Sequence, residues 1–119
     1  MQVSVIHAAF SDRDNPHLVA FVEVGDRTGT DALEYAYFRT QNLSGSWSKG
    51  ATFEFDGKVY ENGDYSEDVT VMAELHVDDD GKEWGLRSTS VGDQMLLGNT
   101  KYEVADFGFE QLEVDTVAQ

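Results

Sequence analysis

The chain has 119 residues and a mass of 13.2 kDa, enough for one domain and too short for two. Eight Lys and Arg stand against 23 Asp and Glu, so the formal net charge is −15 and the pI about 4.2. So few bases cannot cluster on phosphates, which excludes a direct nucleic-acid binder, and a chain without cysteine has neither a disulfide framework nor a thiolate metal site.

Apolar runs extend only a few residues, too short for a membrane span or a signal-peptide core. A cytoplasmic protein is the expectation. Fourteen aromatic residues separate the chain from disordered acidic tails, which are poor in them. The charge therefore sits on a folded body.

That charge is unevenly placed. Residues 1–50 hold six acids and four bases; residues 51–119 hold 17 acids and four bases. The densest stretch runs from Glu61 to Glu83, with Asp64, Glu67, Asp68, Glu74, Asp78, Asp79 and Asp80 between. Crowding like charges costs stability. A solvated face or a saline habitat would account for it. So would a surface shaped for a basic partner.

In chain order, Val3 to Ile6 reads as a first strand. Ser11 to Pro16 is a polar turn cluster ending in the one proline. Leu18 to Val24 is mostly apolar and suits a strand buried on both faces. Gly25 to Thr30 is a loop. Leu33, Ala36, Tyr37 and Thr40 follow helical spacing, which predicts a helix over about 31–42. Asp31 is the expected cap, with Glu34 able to reach back. Tyr35, Tyr37 and Phe38 leave a strand reading open.

Leu43 to Gly50 is a loop by composition, and Trp47 is its one aromatic side chain. Trp47 reads two ways: a lid closing on the core, or an exposed binding anchor. Phe53 and Phe55 alternate with Thr52 and Glu54, and Asp56-Gly57 signals a hairpin that sets Tyr60 opposite Phe53. A polar loop follows to Asp68. Val69, Val71, Ala73, Leu75 and Val77 alternate with polar residues or Met72, which predicts one half-buried strand. Asp78 to Gly81 turns the chain.

A last hairpin is predicted between Gln94–Leu97 and Thr100–Asp106, with Gly98-Asn99 in a type II′ turn. It pairs Met95 with Tyr102 and Leu96 with Lys101. Phe107 to Phe109 reads as a bend and Gln111 to Val114 as a final strand. The sum is an α+β domain over residues 1–119, a curved antiparallel sheet or small partly open barrel of about seven strands with one helix. Gly92, Gly98 and Gly108 sit where tight bends would need them.

Motifs for chemistry are sparse. His7, His17 and His76 lack metal-ligand spacing, and no nucleophile elbow or glycine-rich phosphate loop occurs. Asp78 to Glu83 holds only a fragment of a calcium loop, so a charged turn is the better reading. With 23 acids, paired carboxylates carry no information. No catalytic residue, metal site or cofactor is expected.

The most distinctive string is Gly85-Leu86-Arg87-Ser88-Thr89-Ser90-Val91-Gly92-Asp93. It reads as a rigid corner in which Arg87 pairs with a nearby carboxylate and the serines bond backbone groups. A small-ligand or enzyme pocket on that corner would instead gather Arg87, Asp93 and Trp84 or Trp47.

Arg87-Ser88-Thr89-Ser90-Val91-Gly92-Asp93, followed by a hairpin and by Tyr102 to Phe109, resembles a signature of phage, plasmid and conjugative-element proteins, R-S-x-S-V-G-D with a closing G-F or G-W. The YodL-like domain carries a related string. Leu33 to Tyr37, Thr40 to Leu43 and Ser46-Trp47 resemble the helix and Trp loop of these proteins. The likeness covers about residues 31–48 and 85–112. It implies a mobile-element accessory protein, some of which are suspected of opposing host defence, and it carries no catalytic residues.

Charge and resemblance together suggest a non-enzymatic acidic protein that binds and inhibits a host nucleic-acid-handling protein, of the anti-CRISPR or anti-restriction type. Glu61, Asp64, Glu67, Asp68, Asp78, Asp79, Asp80 and Glu83 would stand in for phosphates, with Trp47 as anchor. The alternative is a structural or accessory domain of a phage or plasmid from a saline habitat, with no host target. Nothing in the residues sets an oligomeric state.

Overall fold

The structure, a computed structural model, describes residues 1–112. Strand β1 (Gln2–His7) buries Val3, Val5 and His7 and leaves Ser4 and Ile6 half-buried, the period-two pattern of a strand with one face on a core. A single 3₁₀ turn, Phe10–Asp12, leads to β2 (His17–Glu23), which returns antiparallel to β1. The register slips by one between Val5 and Ile6, so Val19 is an extra residue opposite them. That bulge explains why two consecutive residues, Val19 and Ala20, are both out of solvent.

Helix α1 (Gly29–Arg39) lays Ala32, Leu33 and Ala36 on the sheet. The helix, not the strand alternative, is what this aromatic stretch forms. Asp31 is not its cap. Thr28 holds that position without a side-chain bond, and Asp31 sits in the first turn, where its charge favours the helix dipole. The helix ends before Asn42: Thr40 Oγ1 donates back to Ala36 O (2.9 Å) and Gln41 Nε2 to Tyr37 O (2.9 Å), satisfying the last carbonyls.

After a loop come β3 (Thr52–Phe55) and β4 (Lys58–Glu61), paired only with each other. Phe53 faces Tyr60 as expected, and Asp56 and Gly57 both have positive φ (51° and 77°), as a type I′ turn requires. β5 (Val69–Val71) pairs with β2. The single strand expected from Val69 to Val77 does not form. The last rung is Met72 N–H to Val19 O (2.8 Å), at the bulge that bends β2, so the ladder stops there. The chain leaves the sheet, and β6 (His76–Val77) pairs instead with β7 (Glu83–Trp84).

β8 (Gln94–Leu97) and β9 (Thr100–Val104) form the expected hairpin, Met95 opposite Tyr102 and Leu96 opposite Lys101. Gly98 has φ +61° and Asn99 does not turn positive, consistent with type II′. β10 (Phe109–Gln111) closes the described chain; the expected strand to Val114 runs past residue 112 into residues outside the description.

The main sheet is antiparallel in the order β10-β9-β8-β1-β2-β5 and does not close. The fold is α+β, a curved, partly open sheet with one helix. Six strands form the sheet, and four more, beyond the seven or so expected in all, stand outside it in two ribbons, β3-β4 and β6-β7. The core gathers β1, β2, α1, Trp47, Met95 and Val104; neither ribbon contributes a residue.

Candidate protein-binding face

The two ribbons are rooted in one loop, residues 42–50. Trp47 pins it. The indole is 1% exposed, packs edge-on to His7 with ring centroids 6.2 Å apart, and donates Nε1–H to Arg87 O (2.8 Å). Trp47 is therefore the lid on the core and not an exposed anchor. Burying so large a ring next to a carbonyl that takes its one donor leaves it nothing to offer a partner.

The rest of the loop is held by Asn62 and Asp64, just beyond β4, and by its own Ser48 and Lys49, which reach backbone atoms in and just after β7. Asp64 Oδ2 accepts the amides of Leu43 (2.7 Å), Ser44 (2.9 Å) and Gly45 (2.6 Å). Asn62 accepts from Ser46 N–H (3.0 Å) and donates to Ser46 O and Gly50 O, fixing the base of β3-β4. Leu86 N–H donates to Ser48 Oγ (2.7 Å) and Lys49 Nζ to Glu83 O (2.6 Å), fixing the base of β6-β7.

From that root β3-β4 projects with all eight of its strand residues exposed. Phe55 is 69% and Val59 71% exposed; Phe53 and Tyr60 stack at 5.4 Å and 20°. Opposed residues share a face, so Phe53, Phe55, Tyr60 and Lys58 form one side and Thr52, Glu54, Val59 and Glu61 the other. Val77 and Trp84 of the second ribbon are also about half exposed. A cleft of about 410 Å³ lies between the ribbons, with Phe53, Glu54 and Phe55 on one wall and Lys82 and Glu83 on the other. Apolar side chains gathered this way on one projecting feature are candidates for contact with another molecule.

Residues 51–84 carry eleven acids and two bases. Three of the eight carboxylates expected to face a partner are occupied by the fold. Asp64 clamps the loop, Asp68 accepts the Tyr35 hydroxyl, and Asp78 organises its turn. Asp78 accepts Trp84 Nε1–H (2.9 Å) and the amides of Lys82 and Asp80 (both 2.9 Å), and these bonds hold its carboxyl below the usual range. The turn is thus a hydrogen-bonded Asp turn. Glu61, Glu67, Asp79, Asp80 and Glu83 remain exposed. Lys82, one of the two bases, lies 4.3 Å over the Trp84 ring.

The Arg87–Asp93 corner lies elsewhere and is structural. Asp93 has no exposure and accepts five bonds: Ala8 and Ala9 amides (2.7 and 2.9 Å) and Arg87 Nη2 (2.8 Å) on Oδ1, Ser90 amide (2.8 Å) and Arg87 Nη1 (2.6 Å) on Oδ2. Arg87 Nη2 also reaches Asp12 Oδ2 (3.0 Å). Burial alone pushes the Asp93 carboxyl up; the guanidinium and the amides of Ala8 and Ser90 outweigh it and hold it below its ordinary value. The Asp93 bond in turn raises Arg87. A carboxylate so saturated has no lone pair for a ligand. Of the residues considered for a pocket on this corner, Trp84 stands in the second ribbon and Trp47 is buried on Arg87 O; a cleft beside the corner is lined by Val91 and Gly92 but by neither Arg87 nor Asp93.

His7 completes the corner. It is 2% exposed, with Nε2 3.2 Å from Thr89 Oγ1 and 4.0 Å from Asp93 Oδ2. Burial lowers its pKa to about 4, against the pull of Asp93. His7 and His17 stand opposite each other at the end of the β1–β2 ladder, His76 lies apart in the second ribbon, and among the described residues no cluster of three metal-ligating side chains forms. No helix among them is long and apolar enough to cross a membrane.

What the residues alone did not single out is the aromatic ribbon. Its signal was present: Phe53, Phe55 and Tyr60 share a face with Lys58, and Val59 shares one with Glu54 and Glu61, so no face reads as core. Comparisons with family models, curated proteins and solved structures give no match for this chain.

Proposed function

We propose that this domain is a non-enzymatic binding protein of a phage or plasmid that occupies the basic, nucleic-acid-binding surface of a host protein in the cytoplasm and inhibits it, as anti-CRISPR and anti-restriction proteins do. One observation carries the reading. Eleven acids against two bases are gathered on residues 51–84, and the ribbons there leave their apolar side chains exposed. Charge of one sign beside exposed rings supplies both terms of an interface, steering by complementary potential and burial of apolar anchors. The resemblance of the Arg87–Asp93 string to mobile-element proteins supplies the biological setting.

Asp79, Asp80 and Glu83 test the idea, because they are exposed and, unlike Asp78, their side chains are not needed by the turn. Immobilised wild-type protein should retain a nucleic-acid-binding protein from host lysate at low salt and release it as salt rises. The triple variant D79K/D80K/E83K should lower retention by about tenfold at an unchanged melting temperature. Failure to retain any nucleic-acid-binding protein, or equal retention by the variant, overturns the proposal and favours a structural domain of saline habitat.

A further inference from the structure

The β3-β4 ribbon narrows the partner's site, on the reading just given. We infer that this ribbon enters a groove built for single-stranded nucleic acid, its rings taking the places of bases and its carboxylates those of phosphates. Three observations lead there. First, the ribbon contributes nothing to the core and all eight of its strand residues are exposed, with Phe53 and Phe55 opening onto the cleft toward Lys82 and Glu83. Second, its three rings, Phe53, Phe55 and Tyr60, lie on one side with Lys58, and its two carboxylates, Glu54 and Glu61, on the other with Thr52 and Val59. Third, Phe53 and Tyr60 are already stacked at 5.4 Å, with Phe55 one strand repeat, about 7 Å, further out.

That sorting distinguishes two kinds of nucleic acid. A duplex turns its anions outward on both strands and hides its rings in the stack. A single strand shows planar rings along one side and anions along the other. Proteins that bind single strands answer with a positive groove and aromatic platforms on which bases stack, without reading sequence. Phe and Tyr rings satisfy such a platform as bases do, because stacking needs only a π-face. Arginines of the same groove find both a carboxylate and a ring within reach of one ribbon. Charge complementarity thus favours this occupant over a second copy of the chain, whose own ribbon would bring like charges together.

The experiment uses full-length protein on a column charged with host lysate. Retained protein is eluted with a 12-residue oligothymidylate or with a duplex of equal phosphate concentration. The expected result is release by oligothymidylate at least threefold greater than by duplex. F53S/F55S/Y60S should retain about tenfold less while melting within a degree or two of wild type, since the three side chains pack on no core residue. Equal release by duplex, or undiminished retention by the variant, overturns the ribbon inference and leaves the general proposal standing. No release by either nucleic acid overturns both. Sedimentation of the protein alone supplies a further check: self-association abolished by F53S/F55S/Y60S would make the ribbon a dimer contact and overturn the inference.

Discussion

Replacing Asp93 by Asn keeps the shape of the side chain and removes its charge and one acceptor. Five donors converge on that carboxylate, so whichever way the amide lies, its NH₂ meets N–H groups it cannot accept. Arg87 keeps only Asp12 as a charged partner. Breaking a buried ion pair costs about 3–5 kcal/mol; Arg87 is 28% exposed and retains water, which favours the lower end, about 3 kcal/mol. For a chain of this length that is a fall in Tm of about 12 °C, and a large fraction of the roughly 5–15 kcal/mol a domain has. Urea unfolding followed by the emission of buried Trp47 measures it. A cycle with R87M should show coupling above about 1 kcal/mol, because each residue is the other's main partner. A loss in D93N of less than about 1 kcal/mol would refute the claim that this corner is a structural staple.

Acid should weaken the fold through His7. Its folded pKa is about 4 against an ordinary 6.5, so below pH 6.5 the unfolded chain takes up the proton first. Stability should fall between pH 6.5 and 4 by about 3 kcal/mol and level off below for this group. His7→Asn should lose that part of the slope; parallel slopes for the two proteins would count against a neutral buried imidazole. The depressed carboxylates add losses as pH falls through their ordinary values, 4.5 for Glu23 and 3.8 for Asp78 and Asp93, and on toward their lower folded values. A methyl group at Gly45 would collide with Asn62 Oδ1, which Ser46 and Asp64 amides hold in place. Gly45→Ala should therefore cost about 1–3 kcal/mol, while Gly50→Ala, which meets nothing within 4 Å, should be near neutral by the same thermal melt.

Local rules explain what was legible. The hairpin at Gly98-Asn99 and the pairing of Phe53 with Tyr60 follow from turn chemistry that only a few residues decide. Helix α1 was legible in its apolar stripe, yet its ends were not: Thr28 caps without its side chain, and Thr40 and Gln41 end it by bonds to carbonyls that no period announces. The strand at Val69 was overextended because its alternation continues after the bulge at Val19 has ended the ladder. A bulge in a neighbouring strand leaves no mark in the strand it truncates. The site was legible as charge and not as shape. The acids of 61–83 were visible by count, but whether a carboxylate is free or engaged depends on amides brought from the loop at 42–50.

The division of labour among those acids bears on why the charge is there. Acidity kept only for solubility needs no particular neighbours and would spread over a surface. Here Asp64 and Asp78 brace the ribbons, Asp68 ties the chain before β5 to helix α1, and the free Glu61, Asp79, Asp80 and Glu83 stand on or beside the ribbons with Phe53, Phe55, Val59, Val77 and Trp84 exposed. Exposed rings work against solubility, so a solubility account explains the carboxylates and leaves the rings without a reason. A saline habitat likewise explains acids and not apolar ribbons. An isolated two-stranded ribbon is marginal in water, and this one is held at its root by Asn62 and Asp64. A fold that holds a ribbon outside its core with side-chain clamps from Asn62 and Asp64 gains nothing from it as packing. Contact with another molecule is the reading that accounts for the rings and the charge together.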